Sequence, residues 1–180
     1  MSRVGRQIIT VPDKVQVVYQ NNLVTVTGPL GVLSQEIASR HIDVKVEGNT
    51  VSVVRSREEK ATKAMHGLYR VLINNMIQGV VKPFSKTLIV NGVGYKTAVN
   101  GNKLTMNIGY SHPVEIVAPK GITIVCVTPT EIKVEGISKQ LVGAVSANIK
   151  AAKPVEPYHL YGIRYSTEQL VKKEGKTAGK

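Results

Sequence analysis

The sequence repeats its own pattern of apolar and polar residues after about 80 positions, and this repeat constrains the fold more than any single motif does. Val15, Val17 and Tyr19 alternate with polar neighbours, Gln20-Asn21-Asn22 turns the chain, and Val24 and Val26 resume the alternation up to Gly28-Pro29-Leu30-Gly31. Ile42, Val44 and Val46 form a further run, which Gly48-Asn49 turns into Val51 and Val53. Period-two runs separated by turn residues read as antiparallel strands with one buried face. In the second half Tyr95, Thr97 and Val99 fall where Val15, Val17 and Tyr19 fell. Asn100-Gly101-Asn102 takes the place of Gln20-Asn21-Asn22, and Ile122, Ile124 and Cys126 stand for Ile42, Val44 and Val46. Few identities survive, yet the pattern keeps its register.

Each half then changes period. Ser56-Arg57-Glu58-Glu59 has the spacing of a capping box. Ala61, Met65, Leu68, Leu72 and Met76 follow at helical spacing, which predicts a helix with that face, closed at Gly79. In the second half Ser138 opens a helix with the face Leu141, Val145, Ile149 and Ala152, after the run containing Ile132 and Val134. A period this long is not a solenoid unit. It predicts an α+β fold of two duplicated domains, 1–82 and 83–153, each a small antiparallel sheet packed on one helix, with a basic C-terminal extension, 154–180.

Composition matters for the core and for the partner. One Phe and no Trp leave Val, Ile and Leu to fill the interior. Formal net charge is +12. The halves carry 11 basic with 6 acidic residues before Pro83 and 13 with 6 after it, so both are positive (+5 and +7). Such a surplus favours a polyanion, because each Lys or Arg that meets a phosphate releases counterions. Cys126 lies in the apolar run 122–127 and reads as a buried, inert thiol, and a lone cysteine excludes an internal disulfide. Without a signal peptide or an apolar run of membrane length, the sequence predicts an intracellular soluble chain with no membrane partner.

After the second helix, Pro154 and Pro157 fix φ and remove amide donors, so the helix must stop there. The stretch beyond shows no apolar period long enough to bury itself, but Tyr158, Tyr161 and Tyr165 lie within eight residues, with basic groups on both sides. Rings beside ammonium and guanidinium groups suit unpaired bases and phosphates.

Catalytic chemistry finds little support. His41, His66, His112 and His159 are scattered, and none has the i, i+4 partner or Cys neighbour of a metal site. Gly92-Val93-Gly94-Tyr95-Lys96 precedes a strand and so lacks the helix N-terminus of a phosphate loop; a tight turn accounts for it. Gly109-Tyr110-Ser111-His112-Pro113 reads equally as a hairpin loop and as a contact site.

Several motifs then coincide. Ser2-Arg3-Val4-Gly5-Arg6 with Pro12, Gly28-Pro29-x-Gly31, and His66-Gly67-Leu68-x-Arg70 running through Asn75-Met76 to Gly79-Val80 occur in order. The turns at Gly92 and Gly109, then Glu156-Pro157-Tyr158 and Gly162-Ile163-Arg164-Tyr165, complete the set. Over essentially its whole length the chain resembles the bacterial form of the family of ribosomal protein six of the large subunit. The resemblance implies two duplicated domains that bind large-subunit ribosomal RNA, mainly through the second domain and the tail. It implies a cytoplasmic place in the ribosome among other ribosomal proteins, near the stalk base and the sarcin–ricin loop where translation factors dock. No cofactor, no metal and no enzymatic role are implied.

The candidate RNA-binding residues are Arg3 and Lys96, the loop pair Ser111 and His112, and the helix lysines Lys139, Lys150 and Lys153. In the last segment they are Pro157, Tyr158, His159, Tyr161, Gly162, Arg164 and Tyr165, then Lys172, Lys173 and Lys176. Members of the family usually carry Lys-Gly-Lys between Tyr158 and Gly162, where this chain has His159-Leu160-Tyr161. Leu30 and Val171 also replace common basic residues. Two charges are exchanged for a ring, and stacking by Tyr161 can substitute for them. Two other classes compete with this function: an enzyme that uses the Gly92 turn for a nucleotide, and a free RNA chaperone or DNA-binding protein.

Overall fold

The computed structural model describes residues 3–176. The chain divides into two compact units, one from residues up to Pro83 with Ile137–Lys139, the other from Phe84–Gly136 with the residues from Gln140 onward.

In the first unit the strands are β1 (Ile9–Thr10), β2 (Gln16–Gln20), β3 (Leu23–Gly28), β4 (Gly31–Glu36), β5 (Ile42–Glu47) and β6 (Thr50–Arg55), followed by helix α1 (Lys60–Val81). They divide between two antiparallel sheets, ordered β2-β3-β4 and β1-β6-β5. Alternation decides which side faces in: Val17, Val24, Val26, Val44, Val51 and Val53 are buried with Ile73, Ile77 and Val80 of the helix. Each buried aliphatic side chain contributes roughly 1.5–3 kcal/mol, so a Val-rich interior suffices without Trp.

The second unit has β7 (Phe84–Asn91), β8 (Lys96–Asn100), β9 (Lys103–Asn107), β10 (Val114–Val117), β11 (Ile122–Thr128), β12 (Glu131–Gly136), α2 (Lys139–Ala152) and β13 (Gly162–Tyr165). Its sheets are ordered β10-β9-β8 and β11-β12-β7-β13, again antiparallel. The α+β duplication expected from the sequence is therefore present, with two small sheets to each copy. Leu88, Leu104, Met106, Ile132, Ile149 and Ile163 fill the core.

The structure corrects five details. The stripe of α1 that turns inward is Thr62, His66, Tyr69, Ile73, Met76, Ile77 and Val80, whereas Met65 and Leu68 are exposed at 41% and 54%. His66 belongs to that stripe because its polar atoms are matched. Arg55 can only donate, so its Nη1 donates to Nδ1 at 3.2 Å, and Nε2–H donates to the Val53 carbonyl at 2.8 Å. Secondly, Ser56 does not cap α1, since Glu59 holds the N-cap position without a side-chain bond. Glu58 pairs instead with Arg55 and Lys63, whose bonds hold its carboxyl down to about 2. Thirdly, the helix continues through Gly79, and Lys82 ends it by donating to Gln78. In α2 the inward residues are Val142, Val145, Ser146 and Ile149, while Leu141 is exposed; Ser146 hides its hydroxyl by donating to the Val142 carbonyl. Finally, Cys126 is only half-buried, with Sγ 3.4 Å from the Thr97 hydroxyl.

Candidate nucleic-acid interface

Helix α2 carries Lys150 and Lys153 to one end of the second unit, and the chain then doubles back. The Ile163 amide donates to the Lys153 carbonyl at 2.8 Å, and Pro154 bridges Ile163. The Glu156 amide donates to the Tyr161 carbonyl at 3.0 Å, so 156–161 forms a closed loop. Gly162 leaves this loop at φ +140°, and a Cβ there would come within 2.7 Å of the Pro154 carbonyl oxygen; only glycine lets the two passes of the chain lie together. Leu160 sits at φ +63° inside the loop, a left-handed conformation rare for a branched side chain. Asn91 Nδ2 donates to the Leu160 carbonyl at 3.0 Å and ties the loop to the end of β7.

The stretch after Pro154 does bury part of itself, contrary to its reading from apolar period. Ile163 is fully buried, and β13 pairs with β7 from Gly162↔Asn91 to Tyr165↔Leu88. A four-residue strand gives no period to detect, and its partner lies some seventy residues earlier in the chain.

Within the loop, His159 and Tyr161 stack with centroids 5.6 Å apart and planes 18° apart. Glu156 Oε1 accepts the His159 amide at 2.8 Å and lies 3.2 Å from its Nδ1. Desolvation pushes the Glu156 carboxyl up, but the amides of His159, Tyr161 and Tyr158 together with the imidazole outweigh it and hold the carboxyl below its ordinary value. The basic segment returns to the loop where the Lys173 amide donates to the Pro157 carbonyl at 2.9 Å. Tyr158, His159, Lys172, Lys173, Glu174 and Gly175 then line an open cleft of about 470 Å³. One wall is Tyr158 with His159, both exposed; the other is the exposed stretch from Lys172 to Gly175, with two lysines and one glutamate and so a net positive charge.

In the same unit, Tyr95 packs its ring against Gly92 and Gly109, where a Cβ would come within 2.4 and 3.1 Å of it. The two turns are thus gathered around one ring. Tyr110 donates its hydroxyl to the Ala152 carbonyl at 3.0 Å, and the Lys153 ammonium lies 4.5 Å from the Tyr110 ring centre. This brings Ser111 and His112, exposed and 3.4 Å apart, to the loop that meets the end of α2.

Tyr165 has a different environment. Its ring lies 4.8 Å from the Lys86 ammonium and 5.1 Å from that of Lys150. Lys150 is bound to both oxygens of Glu168 at 2.6 and 2.7 Å, and the Tyr165 amide donates to Glu168 at 3.1 Å. The Lys150 ammonium, then the Tyr165 amide, holds the Glu168 carboxyl below its ordinary value. Arg164 Nη1 donates to the Glu168 carbonyl at 3.4 Å. Lys150, Arg164 and Tyr165 are therefore engaged within the fold.

Of the predicted residues, the structure gathers Tyr158, His159, Lys172 and Lys173 at the cleft, with Tyr161 stacked on His159 and Pro157 bonded to the Lys173 amide, and it puts Ser111 and His112 next in the chain to Tyr110, whose ring meets Lys153. Arg3 lies in the first unit, Lys96 is exposed on β8, Lys139 opens α2 at the opposite end from Lys153, and Lys176 is the exposed last described residue. Lys86 escaped the sequence reading because an isolated lysine in a strand gives no signal.

The family model for Ribosomal protein L6 matches residues 11–82 and 91–166, one match on each copy of the fold. The chain belongs to the ribosomal protein L6 family. It is 48% identical to the large ribosomal subunit protein uL6 of Mycoplasma capricolum, over 100% of both chains. To the uL6 proteins of Shouchella clausii and Streptococcus uberis it is 48% and 49% identical, over 98% of this chain and 99% of each relative. The L6 match ends at 166, so the lysine wall of the cleft lies beyond it, whereas full-length similarity to the uL6 relatives covers that wall too. Among the described residues no cluster of His, Cys, Asp and Glu could hold a metal ion, and no helix is long and apolar enough to cross a membrane.

Proposed function

We propose that this L6-family chain is a structural constituent of the large ribosomal subunit and binds large-subunit ribosomal RNA through the end of its second unit. Neighbouring ribosomal proteins would share that place, near the stalk base and the factor-binding region, as the resemblance implies. The observation that carries the proposal is the cleft between Tyr158 with His159 and Lys172 with Lys173. A ring offers a π-face to any unpaired base, and the ammonium groups meet the phosphates on either side of it. Ser111, His112 and Lys153, grouped through Tyr110, would add further contacts. The Gly92 turn favours no nucleotide enzyme, since it leads into β8 and aims no helix amides at a phosphate.

Affinity for large-subunit RNA, measured over a range of salt, tests this. Tyr158→Ala should weaken binding by about 1–3 kcal/mol, the worth of one stacked base, and leave the salt slope as it was. Lys172→Ala with Lys173→Ala should flatten the slope by roughly one unit per lysine. A parent chain with no affinity for this RNA, or a salt response that neither variant alters, would overturn the proposal. Exchange of Arg40 and Lys45 in the first unit for alanine serves as the control and should change little.

A further inference from the structure

A second cleft in the same unit has a different chemistry. Ser85, Lys86 and Thr87 at the start of β7, with Tyr165, Ser166 and Thr167 at the end of β13, enclose about 280 Å³. The Ser166 amide donates to the Thr87 carbonyl at 3.0 Å and fixes the two strand ends together. Five hydroxyl-bearing residues and one lysine line the space, and no carboxylate residue does. Among the described residues no carboxylate lies within ion-pair distance of Lys86, and its ammonium faces the Tyr165 ring. The nearby Glu168 is already bound by Lys150 and the Tyr165 amide. Lys86 thus has no carboxylate partner among the described residues, and its ammonium lies 4.8 Å from the Tyr165 ring centre in a cleft that hydroxyl-bearing residues also line.

We propose that this cleft binds a backbone phosphate of the RNA, as a contact separate from the cleft at Tyr158. A phosphodiester needs a cation and short neutral donors but no base-reading groups, and this set supplies the former without the latter. Tyr165 is then a positioning residue, whose ring holds the Lys86 ammonium by cation–π attraction at one edge of the sheet. The contact fixes register and carries no sequence information. The inference rests on the RNA binding proposed above.

The test compares the full chain with Lys86→Ala, Lys86→Arg, and Ser166→Ala combined with Thr167→Ala, on large-subunit ribosomal RNA from 50 to 200 mM salt. Lys86→Ala should lower affinity most at low salt, with the parent-to-variant ratio shrinking about threefold over that range, as loss of one phosphate contact requires. Lys86→Arg should keep the parent slope, and the double hydroxyl variant should weaken binding at an unchanged slope. Circular dichroism and thermal melting of each variant exclude unfolding as the cause. If the parent binds with its steep salt response and Lys86→Ala shares it, this cleft takes no phosphate and the Tyr158 cleft stands alone. If the parent itself does not bind, the broader proposal has failed.

Discussion

The hairpin from β2 to β3 turns through Asn21 and Asn22, both with positive φ (50° and 61°). Its counterpart from β8 to β9 turns through Gly101, at φ 58°, and Asn102, which is not left-handed. The first is the pattern of a type I′ turn and the second that of a type II′ turn, and both match the twist of the strands they join. Around these different turns the strands keep one inside-outside pattern: exposed, buried, exposed, half-buried, exposed in both β2 and β8. The duplicated quantity is the burial pattern, which many sequences satisfy.

The copies part company at their first strands. β1 is two residues long and pairs only with β6, while β7 is eight long because it serves two neighbours. Its residues 84–89 pair with β12, and 88–91 pair with β13. The second copy is thus the first copy's plan with a strand and a basic segment added on one edge. Both candidate clefts include residues of that addition.

The largest expected effect comes from removing the addition's anchor. Ile163 is 0% exposed, and Ile163→Ala should cost about 2–5 kcal/mol, the range for emptying a buried aliphatic site. Native-state hydrogen exchange should show the loss in the amides of β7 and β12 and leave those of β2 and β3 protected. Ile73→Ala, an equally buried change in the first copy, should give the reverse. If either variant deprotects both copies alike, they do not open independently.

The duplicated part of the fold was legible because alternation and turn residues are local signals. The helix faces were less so. Counting Met65 and Leu68 as inward ignored that His66 and Thr62 can be buried once their polar atoms are matched, as His66 is by Arg55 and Val53. β13 was illegible, since four residues acquire a partner only through a pairing far back along the chain. For the candidate site, only the grouping of Tyr158, His159 and Tyr161 followed from closeness in sequence; Lys172 and Lys173 reach them through the bond of the Lys173 amide to the Pro157 carbonyl, which no local signal announces. The engagement of Lys150 by Glu168 did not, because eighteen residues and a proline-bounded loop separate them.

A smaller effect concerns acid. The Glu168 carboxyl is held below its unfolded value by Lys150, so its stabilising contribution is in place above the ordinary carboxylate range and is lost as pH falls through the depressed value. The Tyr165 amide, 3.1 Å from that carboxylate, should report the loss as an NMR shift with a midpoint below that of a free glutamate. Glu168→Gln should abolish this shift. A midpoint at or above the ordinary value would mean that Lys150 does not stabilise the anion.

The smallest effect returns to the turns. Where the first copy needs positive φ in its β2–β3 hairpin it uses asparagines, whose short polar side chain tolerates the left-handed region, and the second copy uses Gly101. The added loop uses Leu160, at φ +63°, in the position where the resembled family usually has glycine. A non-glycine residue there costs roughly 1–2 kcal/mol. Glycine in turn loses more chain entropy on folding, by roughly 0.5–1 kcal/mol, and Leu160→Gly also gives up the contacts of a half-buried side chain. The net gain for Leu160→Gly is therefore at most about 1 kcal/mol. Leu160→Ala isolates the backbone effect, because it loses nearly the same side-chain contacts while keeping the strain, and it should be less stable than Leu160→Gly by up to about 1.5 kcal/mol in chemical denaturation. Were Leu160→Ala the more stable of the two, position 160 would not be left-handed in solution. The 156–161 loop would then be closed by the Glu156–Tyr161 hydrogen bond and by Asn91 alone.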